Sequence, residues 1–380
     1  MSIRIPFNKS FETGREVKYV SDVLRNHSTC GDGVYTKKCQ ELIQTAFSAK
    51  KVLLTTSCTS ALEMSVLLCD LQAGDEVILP SFTFVSTANA LALRGITPRF
   101  VDIREDTKNL NEELISDAIT ENTKAIMPVH YAGVVCEMGV ISRIASEHGL
   151  RVIEDAAQAV NASYDGQFAG TIGDLGTFSF HETKNYASGE GGALLINDAA
   201  LVERAEILRE KGTDRSRFNR GQVDKYSWVD IGSSYLPSDI LAAVLFAQLE
   251  SLKEIDNMRA RVAGLYRQRL SELSMDGHIE LPFVPENCRS NNHMFYILTR
   301  DQKTRGALID HLKSKGILAV FHYVPLHNSP MGKKLGCDDR DLPVTLSVSE
   351  RLLRLPLFCD LRDSDVDLIC DEIVAFYQAE

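Results

Sequence analysis

From residue 50 to about 250 the chain alternates short apolar runs with stretches of helical length. No other feature restricts the fold as strongly. The runs Lys51–Thr55, Glu76–Leu79, Pro98–Ile103, Lys124–Val129, Arg151–Glu154, Thr177–Phe180 and Ala193–Ile196 read as strands. Between them lie helical candidates such as Ser60–Leu71, Val140–Glu147 and Ala199–Lys211. Strand–helix alternation predicts a mainly parallel sheet with helices on both faces. The last two runs flank a loop instead of a helix, so that part of the sheet is open to antiparallel pairing.

A long helical pattern from Ser238 to Leu270 follows a Pro-Ser-Asp start, with Ser238 or Asp239 as N-cap. Beyond Pro282 the texture changes: Met294–Thr299 and Leu318–Val324 read as strands, Gln302–Lys315 and Asp363–Tyr377 as helices. This predicts a large domain over residues 1–250 and a smaller α+β domain over 251–380, carried by the long helix. A chain of 380 residues buries enough surface to need no metal or disulfide for its core. Its nine Cys are irregularly spaced without a C-x-x-C, which reads as free thiols in a reducing cytoplasm. The N-terminus lacks the apolar core of a signal peptide, and no stretch approaches the roughly 18 apolar residues of a membrane span. The net charge of −11 argues against sequence-independent nucleic-acid binding, which needs Lys and Arg along a phosphate backbone.

Several common site motifs are missing. The sequence has no P-loop, no G-x-G-x-x-G and no G-x-S-x-G. His181-Glu-Thr-Lys-Asn185 has Asn where a zincin has its second His, and Pro325 separates His322 from His327, so no metal site is expected.

Three segments make chemical sense together. In Val152-Ile-Glu-Asp155-Ala-Ala-Gln158 a strand ends on carboxylates, where open α/β sheets gather ligands. A strand-end Asp alone is also read as a cap or a salt-bridge partner. In the run from Gly176 to Gly192, Lys184 sits between an aromatic strand and a glycine-rich turn. Those neighbours would desolvate its amine and lower its pKa, as an imine-forming Lys requires. Thr55-Thr-Ser-Cys58-Thr59-Ser60 runs from strand to helix, so its hydroxyls and free amides suit a phosphate, or serve as an ordinary N-cap. A carboxylate, a Lys and a phosphate cradle match the needs of pyridoxal phosphate: a partner for its pyridinium nitrogen, one for its aldehyde and one for its phosphate.

With these segments in place, the chain resembles the sugar-nucleotide aminotransferases of the DegT/DnrJ/StrS type, from Ile5-Pro-Phe-Asn8 to Leu355-Pro-Leu-Phe358. The most specific marks are Glu154-Asp-Ala-Ala-Gln158, Ser179-Phe-x-x-x-Lys184 and Gly189-Glu-Gly-Gly192. The resemblance implies the pyridoxal-phosphate fold type I: α/β, with a mostly parallel seven-stranded sheet between helices and a smaller C-terminal α+β domain. It implies Lys184 as the residue that bonds the cofactor and moves the substrate proton. Asp155 would pair with the pyridinium nitrogen, and Gln158 would meet the ring 3′-oxygen. Phe84 would stack on the ring, although by itself it reads equally as a core residue. Cys58, Thr59 and Ser179 would hold the phosphate, with Cys58 a small helix-start residue and no nucleophile. Many relatives carry Asn, lent by a neighbouring subunit, where this chain has Ser234. A homodimer with shared active sites follows from the resemblance.

For the substrate, the resemblance points to Gly31 and Asp32 in Cys30-Gly-Asp-Gly33, to His322, Tyr323 and His327, and to His181 near Lys184. Each also has a plain reading as a turn or a satisfied polar residue. Four stretches, Pro128–Gly133, Phe180–Tyr186, Arg220–Lys225 and Val320–Tyr323, resemble members that use L-glutamate to aminate a dTDP-linked 4-keto-6-deoxy sugar. Related dehydratases carry His at the position of Lys184, which favours amino transfer here.

Overall fold

In the computed structural model of the protein, which describes residues 3–337 and 341–379, seven strands form one sheet. They are β1 (Lys51–Thr55), β2 (Glu76–Pro80), β3 (Thr97–Val101), β4 (Thr123–Ile126), β5 (Arg151–Asp155), β6 (Leu175–Ser179) and β7 (Gly192–Ile196). Their spatial order is β1-β7-β6-β5-β4-β2-β3. All run parallel except β7, which is antiparallel to both neighbours. β7 follows β6 through the loop that lacked a helical period, so no crossover returns it to the parallel direction.

β6 and β7 are buried along their whole length. This accounts for continuous apolar runs in place of alternation. The helix Cys58–Leu68 packs on β6 and β7 from one side. On the other side Val34–Phe47 and Asp239–Leu249 help to build the largest core. Because the six parallel strands share a direction, their C-terminal ends meet at one edge. That edge carries Thr55, Pro80, Asp155 and Ser179, and β7 begins there at Gly192.

The expected single helix Ser238–Leu270 is two: Asp239–Leu249 and Leu252–Arg269. Ser238 caps the first, as expected, accepting from the amide of Leu241 at 3.4 Å. At the break the Ser251 amide bonds the Gln248 carbonyl, a tighter i−3 pattern, while the Glu250 carboxylate is held by Tyr19 Oη at 2.6 Å. The environment changes at the same point: the first helix buries residues around its whole circumference, whereas the second has one apolar face.

Three further strands, β8 (Phe295–Leu298), β9 (Val320–Phe321) and β10 (Leu352–Leu355), form an antiparallel sheet in the order β8-β10-β9. Leu252–Arg269, Gln302–Ser314 and Asp363–Gln378 pack around it in a second core, which also takes in Ile5. The run expected as a strand over Leu318–Val324 pairs only at Val320 and Phe321. Its next two residues, His322 and Tyr323, leave the ladder and line a cavity.

Two buried carboxylates tie elements together as helix caps. Asp102 accepts from Val344 N, Thr345 N and Thr345 Oγ1 at 2.7–2.9 Å, joining the end of β3 to the helix Pro343–Arg351. Asp239 accepts from Tyr35 N, Thr36 N and Thr36 Oγ1 at 2.7–3.2 Å, joining the helices Val34–Phe47 and Asp239–Leu249. Among the described residues, no helix is long and apolar enough to cross a membrane.

Asp239→Ala leaves buried donors without an acceptor. The expected cost is about 2–4 kcal/mol of stability, read as a lower midpoint in urea or thermal denaturation. A midpoint equal to that of the wild type would show the cap to be dispensable.

Candidate active site

A cavity of about 350 Å³ opens at the C-terminal edge of the sheet, between the two cores. Its floor comes from the strand ends. Asp155 closes β5, buried at 5% exposure. Its Oδ2 accepts from Thr87 Oγ1 at 2.8 Å and its Oδ1 from the Ala157 amide at 3.1 Å. Thr87 is in turn bonded to Thr83 at 2.8 Å. Three residues beyond Asp155, Gln158 accepts from the Ala132 amide at 2.8 Å and donates to Tyr323 Oη at 2.9 Å.

Lys184 lines the same cavity. Burial pulls its amine below the ordinary Lys range, and the Arg354 guanidinium adds to that, while Cys58 and Asp155 act in the opposite sense. The loop that carries it is pinned by its neighbour. Asn185 donates to the Asn291 carbonyl at 2.9 Å and accepts from His293 Nδ1 at 2.9 Å. The expected desolvation of Lys184 is therefore present, with burial as its main cause.

At the other end lies the start of the helix Cys58–Leu68. Ser57 caps it, accepting from the Ser60 amide at 3.1 Å. The amides of Cys58 and Thr59 have no partner within the helix. Thr59 Oγ1 and Ser86 Oγ lie 2.8 Å apart, and Ser179 also faces the cavity. Gly192 lets this helix start sit against the strand, since a Cβ there would collide with the backbone of Ser57 and Cys58. Burial pushes the Cys58 thiol up, which makes it a poor nucleophile.

Phe84 is 59% exposed and borders the cavity, so its reading as a core residue falls away. His181 lines the cavity too, with Nδ1 3.0 Å from Thr183 Oγ1. His322 and Tyr323 stack on each other, centroids 3.6 Å apart, as part of the same wall. Burial and the charges of Arg354 and Lys184 hold the His322 imidazole down to about 2, so it is neutral.

Four expected site residues lie elsewhere in this chain. Gly31, Asp32 and Ser234 line a separate surface depression with Arg215 and Lys211. There Asp32 forms a two-oxygen ion pair with Arg209 at 2.8 Å. His327 is 1% exposed and turns away from the cavity, its Nδ1 2.7 Å from Ser81 Oγ.

The cavity also contains residues that the sequence reading passed over: Phe7, Thr87, His293 and Arg354. Only Arg354 had a legible signal, a charged residue between leucines in an apolar strand. Arg354 and Lys184 balance Asp155 and Glu190 in the lining, so the cavity does not share the acidity of the whole chain.

Pyridoxal phosphate fits these residues. The helix-start amides with Thr59, Ser86 and Ser179 would supply phosphate donors, Asp155 a carboxylate for a protonated ring nitrogen, and Lys184 an amine whose charged form burial disfavours.

A sequence profile of the DegT/DnrJ/EryC1/StrS aminotransferase family matches residues 11–374. The GDP-perosamine synthase of Caulobacter vibrioides is 33% identical over 363 residues, covering 94% of each chain. The spore coat polysaccharide biosynthesis protein SpsC of Bacillus subtilis is 32% identical over 378 residues, 97% of this chain and 96% of its own. The crystal structure of the aminotransferase TlmJ from Streptoalloteichus hindustanus superposes with a TM-score of 0.90 at 30% identity, covering 99% of both chains.

A Lys whose amine is lowered by burial penalises the folded state as long as it is protonated. The unfolded chain then binds more protons than the folded one, so wild-type stability rises with pH between the lowered value and 10.5. Cofactor-free Lys184→Met should therefore melt above cofactor-free wild type at neutral pH, with the gap shrinking at alkaline pH. A gap that does not change with pH would contradict the desolvated amine.

Proposed function

Since the chain belongs to the DegT/DnrJ/EryC1/StrS aminotransferase family, we propose that it moves the amino group of L-glutamate to C4 of dTDP-4-dehydro-6-deoxy-D-glucose. The product would be dTDP-4-amino-4,6-dideoxy-D-galactose, a precursor for surface polysaccharide, and the activity that of a dTDP-4-amino-4,6-dideoxygalactose transaminase. The observation that carries amino transfer is Lys184, a desolvated amine facing the same cavity as Asp155 and the phosphate donors. The dTDP-linked sugar rests on the four sequence stretches around Pro128, Phe180, Arg220 and Val320. The GDP-perosamine synthase relative makes a GDP-linked sugar the second substrate to try.

The cofactor is pyridoxal phosphate, which when bound supplies an aldehyde for the amino group and a ring that accepts electrons from the substrate carbon. The protein's own residues supply position and protons. Asp155, fixed by Thr87 and Ala157, favours a protonated ring nitrogen. Its two hydrogen bonds fix the carboxylate that would pair with that nitrogen. Lys184 takes a proton from the donor carbon in one half of the cycle and returns one to the sugar C4 in the other. An amine with a lowered pKa is suited to both transfers at neutral pH. Gln158, bonded to Tyr323, would meet the ring oxygen. Phe84, at the border of the cavity, would cover the open face of the ring.

The homodimer belongs to the same reading. Phe218, Tyr226, Trp228, Val229 and Ile231 expose large apolar side chains in one segment, with Trp228 at 79%. The adjoining depression holds Ser234, Asp32 and Gly31. A second copy covering this segment would bring Ser234 to the partner's phosphate site. Trp228 is the only Trp in the chain, so its fluorescence reports on that surface. Emission should be blue-shifted at micromolar concentration and move red on dilution, in step with the mass from light scattering. A monomer at all concentrations would remove the shared site.

For the reaction, enzyme, L-glutamate and dTDP-4-dehydro-6-deoxy-D-glucose should yield 2-oxoglutarate and an amino sugar of galacto configuration by mass spectrometry and NMR. Lys184→Ala should abolish turnover. Conversion of the GDP-linked sugar alone would move the nucleotide assignment, and an unchanged sugar in both assays would sink the substrate reading.

A further inference from the structure

Three imidazoles line the cavity, those of His181, His293 and His322. Their hydrogen bonds fix which of them can accept from a ligand. His181 Nδ1 accepts the Thr183 amide at 3.3 Å, so that nitrogen carries no proton. The proton is on Nε2, 3.8 Å from Glu190 Oε1, and His181 offers a ligand a donor. His322 is engaged on both sides. Its Nε2 accepts from Arg354 Nη1 at 2.9 Å, because a guanidinium has no lone pair, and its Nδ1 then donates to Tyr131 Oη at 3.2 Å.

His293 differs. It stands two residues before β8 and is 6% exposed. Its amide donates to Asn291 Oδ1 at 3.0 Å and its carbonyl accepts from Arg259 Nη2 at 2.6 Å, so the backbone is held on both sides. Its Nδ1 meets the Asn185 side chain, which is already oriented: Asn185 Nδ2 donates to the Asn291 carbonyl, a group that can only accept. The atom left for His293 is Asn185 Oδ1, so the imidazole proton is on Nδ1. Burial, with the charges of Lys184, Arg259 and Arg354, holds the ring well below the ordinary His range, and it is neutral. Nε2 therefore keeps a bare lone pair, with no partner among the described residues.

We propose that His293 Nε2 accepts a hydrogen bond from a hydroxyl of the keto sugar and so determines specificity in the second half of the cycle, an inference that rests on the keto-sugar reading above. The two substrates differ in what they can donate. Both ends of glutamate are carboxylates, which only accept, and its one donor is the amino group that is transferred. A fixed lone pair gains nothing from such a molecule. A 4-keto-6-deoxy sugar carries a hydroxyl on the carbon beside its ketone, close to the reacting centre that Lys184 serves. In a cavity shielded from water, a sugar hydroxyl without an acceptor is costly, and so is an imidazole nitrogen without a donor. Pairing the two satisfies both.

The test follows the two half-reactions separately through the absorbance of the bound cofactor, in two variants that split the functions of the ring. His293→Asn keeps a donor where Nδ1 stood, and with it the tie to Asn185, but has no acceptor in the cavity. It should lower kcat/KM of the sugar half-reaction about tenfold and leave the glutamate half within about twofold. His293→Gln places an acceptor where Nε2 stood and gives up the tie, and should keep the sugar half within about threefold of its glutamate half, each relative to wild type. A role confined to holding the Lys184 loop predicts the reverse: His293→Asn like wild type, and both halves impaired alike in His293→Gln. Either of those results would overturn the proposal. A wild type that completes the glutamate half but aminates neither a dTDP-linked nor a GDP-linked keto sugar would overturn it together with the sugar reading. A wild type that aminates one of them, with His293→Asn equally active, would overturn it alone.

Discussion

The structure depends most on one carboxylate that never touches the cavity. Glu154 is fully buried, at 0% exposure. It accepts the amides of Gly170, Ile172 and Gly173 at 2.6–2.8 Å and His130 Nε2 at 2.9 Å. A carboxylate removed from water is stable only when it is this well satisfied. Meeting that need locks the loop that feeds β6 and the segment that follows β4. Successive residues of a strand face opposite ways, so fixing Glu154 on one face presents Asp155 on the other. The position of Ser179, and through it Lys184, follows from where β6 begins.

Inside the cavity, one kind of interaction recurs: a polar side chain held in place by a second polar side chain. Thr87 holds Asp155, Asn185 and His293 hold the Lys184 loop, and His322 holds Arg354. Each support leaves one face of its partner free. This reconciles an acidic chain with anionic ligands. The net charge of −11 belongs to the chain as a whole, while within the cavity the charge of Arg354 is not cancelled, because among the described residues its one hydrogen-bonded neighbour is a neutral ring. The charges that matter are those excluded from water, where screening is weakest.

Much of this was legible in the residues. The seven strands are readable because parallel strands buried on both faces must be continuously apolar and short. Lys184 and Asp155 stand out because each interrupts such a pattern at a strand end. The helix start at Cys58 shows itself through its hydroxyl run. Arg354 had the same kind of signal, a charge inside Leu352-Leu-Arg-Leu355, but nothing in its neighbourhood indicated which side of the small sheet it would face. His327 shows the converse. It lies five residues from His322 in an unusual run, yet its ring turns to Ser81 while that of His322 turns to the cavity. The break at Glu250–Ser251 was hidden because both halves keep a helical period, and the tie that accompanies it, Tyr19, is more than two hundred residues away.

The sequence by itself determined the strand–helix alternation, the parallel sheet with room for a late antiparallel strand, and the candidate Lys, carboxylate and hydroxyl run of the site. These follow from local pattern: apolar period, capping chemistry, and residues out of keeping with their surroundings. Only the tertiary structure decided which polar side chains share one cavity, that Phe84 faces it and His327 does not, and that Arg354 enters it from the small-domain sheet with no carboxylate partner among the described residues. Such facts depend on contacts between segments more than three hundred residues apart, and on desolvation, which exists only once the two cores close around a site.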